Sequence, residues 1–185
     1  MTLYIWRHPK PMDTDGRCIG QSDVAVDKRK LKRLAHRVER FVRQHQLPKV
    51  IWVSPLQRSL KVGQILAQRG FACHVALELA EINFGQWDGQ DWAQIAKQEI
   101  DDWCADFTHF APDGGESLQQ LFERVEGWLH KVLAKQNNPR ILAIGHAGWI
   151  TAAKTLAAGQ DVPKIAADWP ASVAYGERQD LSFLF

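Results

Sequence analysis

The sequence predicts an α/β fold, a three-layer α/β/α sandwich around a largely parallel central sheet. Short apolar runs at 3–6, 50–53, 72–76 and 141–144 have strand length, and most lack polar alternation, as strands covered on both faces require. Between them lie longer segments whose apolar residues recur every three or four positions, the period of an amphipathic helix. Strands alternating with helices build parallel sheets clad on both sides. The length, 185 residues, corresponds to a single domain, 1–185, at roughly 150 residues per domain; no repeat, linker or low-complexity stretch divides it.

The first strand, at 3–6, runs into Arg7-His8-Pro9, and the Pro-, Gly- and Asp-containing stretch 10–23 reads as a loop. A helix is expected over 27–46, with Leu31, Leu34, Ala35, Val38, Phe41 and Val42 on its apolar face and a run of Lys and Arg from Lys28 to Arg43 on its solvated face. After the strand at 50–53, Ser54 as N-cap, Pro55 at the first helical position and Gln57 as capping-box partner open a second helix. It runs to about 68 and stops at Gly70. The strand at 72–76 is weaker, 80–89 is irregular, a helix is expected at 91–106, and 107–115 is a loop. Ser117, with Gln120 three residues on, caps a long helix to about 135, which Asn137-Asn138-Pro139 breaks. The strand at 141–144 turns through Gly145-His146-Ala147-Gly148 into a helix of small residues reaching about 158, and two short strands, 172–176 and 181–184, follow.

Composition narrows the function classes. With 45% hydrophobic and 24% charged residues the chain is of ordinary globular type. The net charge of +2 is too small to imply nucleic-acid binding by itself. Cys18, Cys73 and Cys104 form no CxxC pair and are odd in number, which argues against a disulfide framework or a cysteine metal site and for reduced thiols. The apolar start is too short for a signal peptide or membrane span, so the expectation is a soluble cytoplasmic protein without membrane or nucleic-acid partners, as monomer or homodimer. The 8 Trp suggest a core of large aromatics, with some at a binding cleft.

Polar side chains follow three of the strands: Arg7 and His8 the first, Arg58 one helical turn after the second, and His146 the one at 141–144. If those strands are neighbours, two guanidiniums and two imidazoles converge at one sheet edge, where ligands of open α/β sheets bind. Guanidiniums match phosphate geometry bidentately, helix N-termini favour anions, and a neutral imidazole is a nucleophile toward phosphorus. Each residue alone is a weak signal; the shared topological position gives them weight. Nucleotide-binding loops of the GxxxxGK[ST] and GxGxxG types and the HExxH metal motif are absent. A Cys-x5-Arg phosphatase loop fails because Val24, Leu79 and Phe110 stand where Arg is needed. Asp13-Thr14-Asp15 has the paired aspartates of Mg-dependent phosphatases, but it lies in a loop and not at a strand end.

Six motifs in order resemble those of the histidine phosphatase, or phosphoglycerate mutase-like, superfamily over nearly the whole chain. They are Arg7-His8-Pro9, the loop from Gly16 to Asp23, Ser54-Pro55-Leu56-Gln57-Arg58-Ser59, Glu81-Ile82-Asn83-Phe84-Gly85-Gln86-Trp87-Asp88-Gly89, Pro112-Asp113-Gly114-Gly115-Glu116-Ser117 and Gly145-His146-Ala147-Gly148. The resemblance implies that His8 is the nucleophile, that Arg7, Arg58 and His146 hold the phosphoryl oxygens, and that Glu81 is the general acid and then the base for water. It marks Thr14, where many members have Asn, and Glu116 as substrate-binding candidates, Glu116 also as a second candidate acid. It implies no metal and no cofactor, since arginines supply the charge. Pro9 replaces the signature Gly and lacks a backbone N–H, and Pro11 stands where Thr or Ser is usual. The implied function is a phosphomonoesterase acting on a small phosphorylated metabolite. The Arg-His-Pro start with its Gly-x-Cys loop is similar to an α-ribazole phosphatase-like branch in cobalamin biosynthesis. The alternatives are a phosphoglycerate-type mutase and an inactive phosphate-binding module. A cap-like segment, 85–117, carries Trp87, Trp92, Trp103, Phe107 and Phe110, suited to stacking on a flat base.

Overall fold

The structure is a computed structural model and describes residues 1–135 and 140–183, with the backbone alone at 133–135. The expected break at Asn137, Asn138 and Pro139 lies outside the described residues, as does Leu184.

Strand side chains alternate between two cores. In β1 (Thr2–Arg7) Leu3 and Ile5 enter one core and Trp6 the other. In β4 (Arg140–Gly145) Ile141 and Ala143 share the first core, Leu142 and Ile144 the second. Both faces are therefore apolar, as a sheet covered on both sides demands. With β2 (Val50–Val53), β3 (Ala72–Val75) and β5 (Arg178–Ser182) the sheet runs in the order β3-β2-β4-β1-β5. The first four are parallel and β5 is antiparallel to β1.

The helices fill the two outer layers. The amphipathic α1 (Lys28–Gln44) buries the six apolar residues its periodicity marks, and Asp27 accepts from the backbone N–H of Arg29 and Lys30 as N-cap. It packs with α2 (Gln57–Ala67) over one face. On the other face lie α4 (Leu118–Lys135) and α5 (Ala147–Ala157), contributing Leu121, Val125, Trp128, Trp149 and Ile150. Each large aliphatic side chain fully buried there contributes about 1.5–3 kcal/mol. Ser117 and Gln120 form the expected capping box at the start of α4, each side chain accepting from the other's backbone N–H.

Three expectations need correction. The second helix begins at Gln57, not at Pro55: Leu56 is extended, and the Ser54 hydroxyl accepts from the Leu56 N–H instead of capping the helix. Asp23, from the preceding loop, accepts the Gln57 N–H at 2.7 Å. The segment expected as one helix at 91–106 is a 3-10 turn (Trp92–Gln94) and α3 (Lys97–Ala105), separated where Ile95 turns into a small core with Cys18 and Trp87. Residues 172–176 form no strand; Gly176 instead donates its N–H to the Arg7 carbonyl, turning the chain into β5. Among the described residues no helix is long and apolar enough to cross a membrane.

Candidate active site

Because β2, β4 and β1 are neighbours, their carboxyl ends lie side by side. Arg7 closes β1 and His8 follows it, its N–H extending the ladder to the Gly145 carbonyl at 3.0 Å. His146 follows β4 and is the N-cap of α5, and Arg58 is the second residue of α2. The His8 and His146 ring centroids are 5.0 Å apart. Arg7, His8, Arg58, Glu81 and Thr14 all line one cavity of about 360 Å³. His146 sits behind this lining, fully buried against Arg58.

Hydrogen-bond partners fix the state of both imidazoles. Nδ1 of His8 lies 2.8 Å from the Pro9 carbonyl, which can only accept, so Nδ1 carries the proton and Nε2 keeps its lone pair. Burial, reinforced by the Arg58 and Arg7 charges, holds the His8 pKa well below the usual histidine range, so the ring is neutral near pH 7. Pro9 lacks an N–H but keeps the carbonyl that orients His8. At His146 the roles invert: the donor-only Arg58 gives its Nε–H to Nδ1 at 3.2 Å, leaving the proton on Nε2. Among the described residues that buried Nε2 has no hydrogen-bond partner. Burial, then Arg58 and His8, pushes the His146 pKa down as well.

The guanidiniums are anchored through backbone. Arg58, 1% exposed, donates to the carbonyls of Gly20 and Ser22. Asp88 holds that turn from behind, accepting the N–H groups of Gly20, Gln21 and Ser22. Arg7 donates to the Val173 carbonyl at 2.6 Å, and its guanidinium carbon lies 3.7 Å from the Tyr175 ring centre, a cation–π contact. Burial lowers the pKa of both arginines, opposed at Arg7 by Tyr175 and then Glu81 and at Arg58 foremost by Glu81, and a guanidinium stays charged near pH 7.

Glu81 is 7% exposed and docks on the start of α5. Its Oε1 accepts from Ile82 and Trp149 N–H, its Oε2 from Gly148 N–H, at 3.1–3.2 Å. Helix N-terminal donors thus hold a carboxylate at the cavity wall. Gly148 makes room for it, since a β-carbon there would stand 2.7 Å from Oε1. Glu116 is placed differently: it does not line the cavity, and both its oxygens pair with Arg124 Nη2, at 2.7 and 3.0 Å. Burial pushes the Glu116 pKa up, against the pull of Arg124.

Four residues at or behind the cavity were not singled out by sequence reasoning. Arg17 and Tyr175 line it, Asp88 braces the 20–22 turn, and Arg124 holds the chain before Glu81. Arg17 and Asp88 stand inside quoted motifs, so closer reading of those motifs could have found them; Tyr175, in a segment expected as strand, left no local signal. The rest of the wall is largely apolar: five aromatic rings, Phe84, Trp92, Trp103, Phe107 and Trp169, stand beside aliphatic side chains such as Ile19, Ile82 and Leu118. Trp87 and Phe110 lie outside the lining, stacked on each other. Among the described residues no group of three His, Cys, Asp or Glu is arranged to hold a metal ion.

Comparisons with known proteins agree on a family. The model of the histidine phosphatase superfamily, branch 1, matches residues 3–171. The adenosylcobalamin/α-ribazole phosphatase of Escherichia coli K12 is 26% identical over 103 residues, covering 54% of this chain and 51% of that protein. The chain spans about half the length of the ribazole phosphatases it matches. The metal-independent phosphoserine phosphatase of Arabidopsis thaliana is 27% identical over 143 residues, 74% of this chain and 60% of that one. Among solved structures, a mycobacterial glucosyl-3-phosphoglycerate phosphatase complexed with VO3 superposes with a TM-score of 0.79 at 25% identity, covering 98% of this chain and 92% of that chain.

Proposed function

The chain belongs to branch 1 of the histidine phosphatase superfamily, and we propose that it is a phosphomonoesterase working through a phosphohistidine at His8 without a metal ion. The observation that carries this reading is a neutral imidazole whose Nδ1 is tied to the Pro9 carbonyl, leaving the lone pair on Nε2, in a cavity lined by the guanidiniums of Arg7, Arg58 and Arg17. Nε2 of His8 attacks phosphorus as the ester oxygen departs. Arg7, Arg58 and the Nε2–H of His146 take up the charge on the phosphoryl oxygens, which is most of what phosphoryl transfer asks of a protein. Glu81, carrying a proton in this step, gives it to the leaving alkoxide. The resulting carboxylate then takes a proton from water as that water attacks the phosphohistidine, releasing phosphate and restoring the His8 lone pair.

The wall suggests the alcohol. Phe84, Trp92, Trp103, Phe107 and Trp169 offer flat apolar faces beyond the phosphate end, fitting an ester whose alcohol carries an aromatic or other apolar ring. α-Ribazole 5'-phosphate, with its benzimidazole, is one such ester, and ribazole phosphatases are among the relatives. A panel of phosphate monoesters assayed in EDTA tests both parts. The account expects turnover in chelator and the highest kcat/KM for ring-bearing alcohols. Activity restored only by added Mg²⁺ would contradict the first part, and a preference for small polar alcohols the second.

A further inference from the structure

The segment that delivers Glu81 has no regular structure of its own. Beyond the 3-10 turn Leu77–Leu79, residues 80–84 are neither helix nor strand, so their carbonyls lack ladder partners. Side chains from elsewhere in the fold partner carbonyls along this stretch: Gln21 Nε2 donates to the Glu81 carbonyl at 3.0 Å, Trp149 Nε1 to that of Glu78 at 2.8 Å, and one guanidinium spans three. Arg124, on α4, donates from Nη1 to the carbonyls of Glu78 and Ala80, at 2.7 and 2.8 Å, and from Nη2 to that of Glu81 at 3.4 Å. The same Nη2 takes the Glu116 carboxylate, and the Glu116 N–H reaches the Asn83 carbonyl at 2.9 Å. One planar guanidinium therefore ties three carbonyls around Glu81 to the turn that opens α4, while the Glu81 carboxylate is tied separately to α5.

We propose that the Arg124–Glu116 pair is a positioning device for the general acid: it sets where the Glu81 backbone sits, and hence whether the carboxyl reaches the leaving oxygen. The proposal rests on the phosphatase reading with Glu81 as acid. Arg124 does not line the cavity, so it acts through the groups it holds; its charge also bears on His146, and a Lys, which keeps that charge, isolates the geometric effect on Glu81. A guanidinium presents a rigid fan of donors that one ammonium cannot reproduce, so Lys is a real loss here despite equal charge. Glu116 keeps the half-buried cation compensated.

The test is the pre-steady-state release of alcohol from two esters, a simple alkyl phosphate that needs protonation and p-nitrophenyl phosphate that needs little. Arg124→Lys is expected to slow the alkyl ester on the order of 10–10²-fold with KM near wild type, because small misplacements of a catalytic group have that effect, and to leave the p-nitrophenyl step nearly unchanged. Adding Arg124→Lys to Glu81→Gln should slow the alkyl ester no further, since residues acting as a unit are not additive. Glu116→Gln, which leaves Arg124 its carbonyls, should show the same selectivity to a smaller degree and serves if Arg124→Lys does not fold. Equal slowing of both esters in a folded variant, or losses that multiply in the double variant, would overturn the proposal. A wild-type chain that turns over neither ester would refute the phosphatase reading itself, and the positioning role with it.

Discussion

Nε of Arg58 lies 3.2 Å from Nδ1 of His146, so one guanidinium both turns the second imidazole donor-first and, through its other nitrogens, holds the carbonyls of Gly20 and Ser22. Arg58→Lys keeps the charge and loses this geometry. Removing such a preorganised donor set is expected to lower kcat on the order of 10²–10³-fold. The loss should be alike for alkyl and p-nitrophenyl esters, because it acts on the phosphoryl oxygens and not on the leaving group. Steady-state rates on both esters check this; a variant near the wild-type rate would show that charge alone suffices.

On the proposed mechanism, Glu81→Gln keeps the shape of the general acid and takes away the proton it transfers. The alkyl ester should slow on the order of 10²–10⁴-fold in the alcohol-releasing step. The p-nitrophenyl ester should slow much less in that step, since its leaving group departs unprotonated. Rapid-mixing measurement of alcohol release separates the two, and equal slowing would make Glu81 a structural residue.

Gly148→Ala tests the same group from the helix side. The added β-carbon would stand 2.7 Å from Oε1 and 3.5 Å from Cδ of Glu81, so the carboxyl must shift while the helix accepts the residue. The expected outcome is a folded enzyme with a leaving-group-dependent loss smaller than that of Glu81→Gln. Circular dichroism and the two-ester comparison check it, and an unchanged alkyl rate would contradict the docking of Glu81 on α5.

His8 and His146 are buried neutral, with pKa values held well below their ordinary value by burial and by Arg58. In the unfolded chain histidines gain protons as pH falls through about 6.5. The unfolded state then binds more protons than the folded one, so stability is full above that range and declines as pH drops below it. Urea midpoints measured from pH 7.5 to 5 should fall, and the fall should be shallower in His146→Gln. A slope unchanged by that substitution would mean His146 is not the neutral buried group described.

The fold was legible because its signals are local. Leu3, Ile5 and Trp6 in β1, like Ile141 to Ile144 in β4, are apolar on both faces, and the 3.6 period of α1 marks the residues it buries. The convergence of Arg7, His8, Arg58 and His146 followed from one topological rule, that such residues sit at the carboxyl ends of neighbouring parallel strands. What escaped depends on partners distant in sequence. Asp23 caps α2 from 34 residues away, and Ile95 leaves the helix to pack with Cys18 and Trp87. Glu116 was legible as an acid near the site, but its engagement by Arg124, and the carbonyls Arg124 also holds, exist only once α4 lies against the irregular segment. Tyr175 is likewise defined by its ring on Arg7, which no local pattern records.

The central claim is that His8 carries the phosphoryl group. Wild-type protein is mixed with ³²P-labelled p-nitrophenyl phosphate, whose fast first step makes breakdown of the intermediate the slow one, and quenched within milliseconds in alkaline denaturant, where a phosphorus–nitrogen bond survives. The account predicts label on the protein that is stable to alkali, lost in mild acid and absent from His8→Ala, which should also lose turnover because no neighbouring side chain can replace the nucleophile. Burst turnover without protein-bound label, or label that persists in His8→Ala, would contradict it.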